Sequence, residues 1–233
     1  MGQSLTTIGF DADDTLWHNE RFFKLTQDRF AELLADHAEP DELSERLLAA
    51  ERRNIGHYGF GIKGFVLSMI ETAIEVTEER VPAAAIAELM EAGREMLRHP
   101  IELLPGAREA VEKAADTHRV VLITKGDLLD QERKLAQSGL GDLFSAIEIV
   151  SHKTPQVYRD IFDRHGEGVE RAMMVGNSMK SDVVPVVECG GWGVFVPHGL
   201  EWEIEKADPP TGSDRYAVLK DLSGLADLVS AIR

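Results

Sequence analysis

Cysteine is nearly absent: Cys189 stands alone among 233 residues. An intramolecular disulfide is therefore impossible, which fits a reducing compartment. Long apolar runs are missing as well. The most apolar stretches, residues 120–123 and 183–187, fall far short of the roughly 20 residues that a membrane-spanning helix requires, so no membrane partner is expected. Residues 1–10 carry neither a basic n-region nor an apolar h-region, so no export signal is read and a cytoplasmic location is expected. Basic residues are scarce too, with 25 Lys plus Arg against 41 Asp plus Glu and a net charge of −16. A surface of that sign repels a polyanion at long range, and nucleic acid is not expected as a partner. Aromatics make up only 6%, but 43% of the residues are hydrophobic and 28% charged, a balance that excludes compositional disorder. A chain of this length can bury a sizeable core.

Short runs rich in apolar and β-branched residues lie at 5–10, 119–124, 146–150, 172–175 and 193–196, and each reads as a buried strand. Between them lie segments of helical spacing with recognisable ends. Residues 106–117 follow Pro105, residues 127–138 are closed by Gly139, and residues 155–165 are closed by Gly166. A weak strand at 216–219 and a helix at 222–232 complete the pattern. This alternation predicts an α/β fold, a doubly wound parallel sheet with helices on both faces.

The interval from Trp17 to Pro100 breaks that rhythm. It offers no convincing strand but four helices, at 20–36, 41–54, 65–78 and 83–98. About 80 residues of helix between the first strand and the rest of a sheet argue for an all-helical insertion. The expected organisation is a core of 1–17 and 100–233, with a helical domain of 18–99 inserted into it. Within that domain, residues 56–64 hold four glycines and read as a flexible connection between two helices. Arg52, Arg53 and Lys63 face a single acid, Glu51, over 51–64. This local positive charge suits contact with an anionic substrate, or else the segment is a plain connector. Trp17 and His18 either line a site entrance or, for Trp17, pack in the core.

Four motifs fall at the C-terminal ends of four predicted strands, where ligands bind in doubly wound folds. After the first comes Asp11-Ala12-Asp13-Asp14-Thr15-Leu16, with Asp11 and Asp13 on one side of an extended chain. Like charges that close call for a cation or a shared proton. The second strand ends in Thr124-Lys125-Gly126-Asp127, where a hydroxyl, a glycine and a helix start can cradle an anion. Lys153 directly precedes Thr154 and Pro155, which suit the N-cap and first position of a helix. The fourth strand runs into Gly176-Asn177-Ser178-Met179-Lys180-Ser181-Asp182.

In this order and spacing the motifs resemble those of the haloacid dehalogenase-like hydrolase superfamily, across the whole core. The resemblance implies that Asp11 is a nucleophile that attacks phosphorus, and that Asp13 protonates the leaving alcohol and then activates water. It also implies that Thr124 and Lys153 bind the transferring phosphoryl group, with Lys125 and Gly126 beside it. Mg²⁺ would be held by Asp11, the main-chain carbonyl of Asp13, and Asp182. Asn177 replaces an acid that many relatives carry, so it would supply a neutral oxygen or a water contact. Asp14 occupies a position commonly held by glycine and suits a cap for the following turn. The position of the insertion resembles that of the helical-cap branch, in which the cap selects the leaving group and Lys63 would contact an anionic part of the substrate. The implied activity is Mg²⁺-dependent hydrolysis of a small phosphorylated metabolite through an aspartyl-phosphate. Phosphomutase, metal-free 2-haloacid dehalogenase and a non-catalytic binding protein are the alternatives; the oligomeric state stays open.

Overall fold

The computed structural model describes residues 4–232. Its sheet has the order β3-β2-β1-β4-β5-β6, all parallel. The strands are β1 (Thr7–Phe10), β2 (Arg119–Lys125), β3 (Ala146–Val150), β4 (Ala172–Gly176), β5 (Trp192–Phe195) and β6 (Tyr216–Val218). Each parallel neighbour requires a crossover, and α5 (Ala107–Ala115), α6 (Leu128–Ser138), α7 (Pro155–His165) and α8 (Val184–Glu188) lie in the first four, while β5 reaches β6 through a segment with only a 3₁₀ turn and α9 (Leu225–Ala231) follows β6. Alternate residues of the strands feed two cores. Val120, Leu122, Ile8 and Phe10 pack with Ala110 and Val111 of α5 and Leu225 of α9. Val121, Ile123 and Met174 pack with Tyr158, Ile161 and Phe162 of α7 and Val186 of α8. The sheet is thus doubly wound, as the strand and helix alternation predicts.

The chain divides into two compact units. One comprises the residues up to Glu20, Ile101–Lys125 and those from Gln131 onward, and it contains the whole sheet. The other comprises Arg21–Pro100 and Gly126–Asp130. The second unit is built from α1 (Glu20–Leu33), α2 (Pro40–Tyr58), α3 (Ile62–Val76) and α4 (Ala83–Arg98). Its core is Phe30, Leu34, Leu43, Leu47, Phe65, Met69 and Leu89, all buried. Arg29 pairs with Glu88 and Glu95, and Arg53 with Glu71, on its exposed side.

Two local expectations need correction. The glycine-rich segment is a much shorter connection than residues 56–64, because α2 continues through Gly56 to Tyr58 and α3 begins at Ile62, ahead of Gly64. Residue Gly59 takes φ 74° and Gly61 φ 118°, so the turn uses only the glycines whose backbone demands them. The terminal helix at 222–232 is likewise a 3₁₀ turn, Leu222–Gly224, followed by α9. No helix among the described residues is long and apolar enough to cross a membrane.

Candidate active site

The centre of the sheet positions the first carboxylate. Asp11 directly follows β1, and its N–H donates to Val175 O at 2.9 Å, extending the β1–β4 pairing by one residue. Lys153 Nζ donates to Asp11 Oδ1 at 2.5 Å and to Asp182 Oδ1 at 2.7 Å, and the lysine side chain is 1% exposed. Thr154 caps α7 by accepting from Val157 N, so Lys153 is held just ahead of a fixed helix start. Asp182 lies in a π-helical turn, Met179–Val183, that Tyr158 anchors by donating its hydroxyl to Ser181 O at 2.9 Å. The other Asp182 oxygen accepts from Ser178 N at 2.9 Å. Gly176 leaves room for this carboxylate, since a Cβ there would collide with it.

Two buried carboxylates therefore share one ammonium. Burial, and then the charge of Asp182, push the Asp11 carboxyl up to about 7 against the pull of Lys153. Burial opposes the charge of Lys153, but Asp11 and Asp182 outweigh it and hold the ammonium above its ordinary value. One further positive charge would favour ionised Asp11.

Oxygen atoms converge where such a charge would sit. The Thr15 hydroxyl donates to Asp11 Oδ2 at 3.1 Å and accepts from Asn177 N at 3.0 Å. The amide atom of Asn177 that points inward lies 3.1 Å from the main-chain O of Asp13 and 3.2 Å from Asp11 Oδ2. Placed as nitrogen, it donates to both oxygens; placed as oxygen, it completes a set of three acceptors. Neighbouring ligands in an octahedron with Mg–O of 2.0–2.1 Å lie about 3 Å apart, and the spacing of Asn177 from Asp11 Oδ2 and from Asp13 O matches that around a small hard dication. Asp182 has both oxygens engaged with Lys153 and Ser178. In this arrangement it counts toward the site through charge and through Lys153.

Asp13 is held separately. Trp17 Nε1 donates to its Oδ1 at 2.7 Å, Gln131 Nε2 to its Oδ2 at 2.8 Å, and Lys134 Nζ reaches both oxygens at 3.0 and 3.1 Å. Trp17 is fully buried, so it packs in the core and aims its ring N–H at the carboxylate. Gln131 and Lys134 lie three residues apart on α6, hence on one face of it.

The remaining expected residues lie as follows. Thr124, buried one residue before the end of β2, donates its hydroxyl to Lys125 O at 3.3 Å. Lys125 donates to Ser181 Oγ at 2.7 Å and Glu205 Oε1 at 2.6 Å. Burial depresses the Lys125 ammonium. Burial also opposes the charge of Glu205, but Lys125, with hydroxyls of Ser178 and Ser181, outweighs it and holds that carboxyl below its usual range. Lys125 is thus committed to a carboxylate of its own chain. Gly126, at φ 131°, belongs to the helical unit by its contacts. Within that unit Lys63 pairs with Asp127 at 2.8 Å. Asp14, at φ 58°, accepts from Asn19 N at 2.9 Å and Glu20 N at 2.8 Å, so it caps the start of α1.

Sequence reasoning passed over Thr15, Gln131, Lys134 and Glu205. Thr15 carried a signal, being a hydroxyl four residues from Asp11 in the same motif. Gln131 and Lys134 look like an ordinary solvated helix face, and Glu205 sits in a stretch without periodicity. Their burial is tertiary.

Comparison with known proteins adds the following. A family model described as a haloacid dehalogenase-like hydrolase matches residues 5–186. The chain is similar to a crystal structure of a haloacid dehalogenase-like family hydrolase from Xanthomonas campestris, with 43% identity over 99% of this chain and 93% of that one and a TM-score of 0.88. It shares a fold with a HAD-hydrolase from Bacillus subtilis bound to magnesium, at 16% identity, 97% and 99% coverage and a TM-score of 0.68. An L-2-haloacid dehalogenase from Xanthobacter autotrophicus with chloropropionic acid covalently bound shares it too, at 15% identity, 98% and 100% coverage and a TM-score of 0.66. No curated protein matches.

Proposed function

The chain belongs to the haloacid dehalogenase-like hydrolase family, and from that membership we propose that it is a Mg²⁺-dependent phosphatase acting on a small phosphorylated metabolite. The observation that carries this reading is Asp13, a second motif-one carboxylate oriented by Trp17, Gln131 and Lys134. A departing alcohol needs a proton and a departing halide does not. A dehalogenase would therefore have no use for a proton-donating carboxyl at this position.

In the proposed reaction, Asp11 attacks phosphorus, the P–O bond to the alcohol breaks, and Asp13 gives the alkoxide its proton. Asp13 then takes a proton from water, the hydroxide attacks the aspartyl-phosphate, and Asp11 and inorganic phosphate are released. Gln131 and Lys134 hold both Asp13 oxygens in place for these transfers. Lys153 holds Asp11 in line and offsets charge on the phosphoryl oxygens, and Asp182 holds Lys153. Asp11, Asp13 O and Asn177 would hold Mg²⁺, which supplies charge neutralisation for a reaction that depends on it. Choice among esters is assigned to the helical unit, as the resemblance implies for an insertion between β1 and β2.

The test is release of p-nitrophenol from p-nitrophenyl phosphate by EDTA-stripped protein, with and without Mg²⁺, beside chloride release from L-2-chloropropionate. Mg²⁺-dependent ester cleavage without chloride release is expected. Metal-independent chloride release would replace this reading with the dehalogenase one.

A further inference from the structure

We propose that Asp14, His18 and His198 form a second metal site, for a borderline divalent ion such as Zn²⁺, distinct from the oxygen-lined site at Asp11. Each residue offers one ligand atom, and the three atoms lie within 4.8 Å of one another. The two imidazole rings stand edge to face with centroids 5.7 Å apart, and His198 Nδ1 is 3.6 Å from Asp14 Oδ1. That distance is too long for a hydrogen bond.

The donor set decides the class of ion. Imidazole nitrogens with one carboxylate suit Zn²⁺, Co²⁺ or Ni²⁺, whereas Mg²⁺ prefers oxygen alone. The carboxylate is also oriented for the purpose. Asp14 is 6% exposed, and its oxygens each accept one main-chain N–H, from Asn19 and Glu20. A lone pair remains on each oxygen, and such outer hydrogen bonds fix a ligand's direction. Its left-handed backbone, at φ 58°, is an uncommon state for a residue other than glycine. Capping α1 explains Asp14 alone; it does not explain His198, which a segment 184 residues away in the chain brings beside Asp14 and His18.

Tetrahedral Zn²⁺ with ligand bonds near 2.0–2.1 Å would place neighbouring ligand atoms about 3.4 Å apart. The ligand atoms, all within 4.8 Å of one another, would draw in by at most about 1.4 Å to meet it. His198 is the ligand that can move, because residues 197–202 form neither helix nor strand. The ion would tie that loop to the turn after β1, with the fourth position left to water.

The experiment is equilibrium dialysis of EDTA-stripped, full-length protein against Zn²⁺ in millimolar Mg²⁺, which competes at the oxygen-lined site. Co²⁺ titration monitored by visible absorption runs in parallel. One Zn²⁺ per chain is expected. His18→Ala and His198→Ala should each weaken it by at least about 10–100-fold, the loss that even an outer-shell change produces, and should abolish the intense Co²⁺ bands. Asp182→Asn should leave Zn²⁺ binding unchanged, which separates this site from the catalytic one. His198→Gln serves as a further variant, since its loop position spares the core if His18→Ala fails to fold. No Zn²⁺ retained in Mg²⁺, or binding unchanged in both His198 variants, would overturn the proposal. Neither result depends on whether the protein is a phosphatase.

Discussion

Replacing Lys153 with methionine keeps the volume of the side chain and removes its charge from between two buried carboxylates. Two contacts of 2.5 and 2.7 Å are lost together. At an effective dielectric constant near 20, each is worth about 6 kcal/mol before desolvation is counted. Breaking a buried pair by removing one partner typically costs about 3–5 kcal/mol, and with two orphaned partners the upper part of that range is expected at pH 8 in EDTA. At roughly 3 °C per kcal/mol for a chain of this size, the melting temperature should fall by about 12 °C. Lys153 has a raised folded value, so its own contribution is fully present below 10.5 and does not change between pH 5 and 8. Asp11 does change. Asp11 lies at about 7 even beside the ammonium, against 3.8 in the unfolded chain, and loses an opposing charge in the variant. An acid whose folded value is raised regains stability as pH falls through it. The deficit of Lys153→Met should therefore shrink from pH 8 to pH 5. Urea denaturation followed by tryptophan fluorescence suits the measurement, because Trp17, Trp192 and Trp202 all belong to the sheet-bearing unit. A deficit below about 1 kcal/mol, or one constant across that range, would refute the account of two carboxylates held by one lysine.

Asp11→Asn should leave the fold intact and abolish p-nitrophenyl phosphate turnover, and appreciable residual activity in purified protein would remove Asp11 as nucleophile. Lys134→Met should slow cleavage of an alkyl phosphate by up to about 10²-fold and of p-nitrophenyl phosphate much less, because acid–base help matters least when the leaving group is good; kcat for the two esters decides. Glu205→Gln should cost about 3 kcal/mol at pH 7 by leaving Lys125 buried without its partner. Since the folded Glu205 carboxyl lies below 4.5, its contribution is present above 4.5 and lost as pH falls, so wild type and variant should converge in acid unfolding. Lys63→Ala should change stability by less than about 1 kcal/mol, its ion pair with Asp127 being exposed; a raised KM for an anionic substrate, with p-nitrophenyl phosphate unaffected, would mark it as a specificity residue.

Much of this was legible because parallel sheets write themselves plainly into a chain. Residues 146–150, 155–165 and 83–98 form elements with the bounds that their periodicity predicts, and every motif lies at a strand's carboxyl end, where side chains from different crossovers meet. What escaped was decided by burial. Gln131 and Lys134 are 3% and 6% exposed, yet polar residues three apart on a helix normally face water. Glu205 is drawn in by Lys125 across 80 positions of chain, a pairing that no local pattern announces. The glycine-rich segment was read as longer than it is because Gly56 and Gly64 are tolerated inside helices once tertiary packing offsets their weak propensity.

The insertion between β1 and β2 bears on how the protein acquires its structure. Thr7 lies opposite Arg119, so the central ladder closes a loop that contains the entire four-helix unit. Closing a long flexible loop is slow and entropically costly, while the contacts among α1 to α4 are comparatively local. If the helices assemble first, the two ends of their unit are already constrained and the ladder closes as though the interval were short. On that order of events β1 docks late, and Asp11 at its tip meets Lys153 only after the neighbouring strands are in place. Substitutions in the core of the helical unit, such as at Leu47 or Met69, should consequently slow recovery of the sheet's tryptophan signal on refolding.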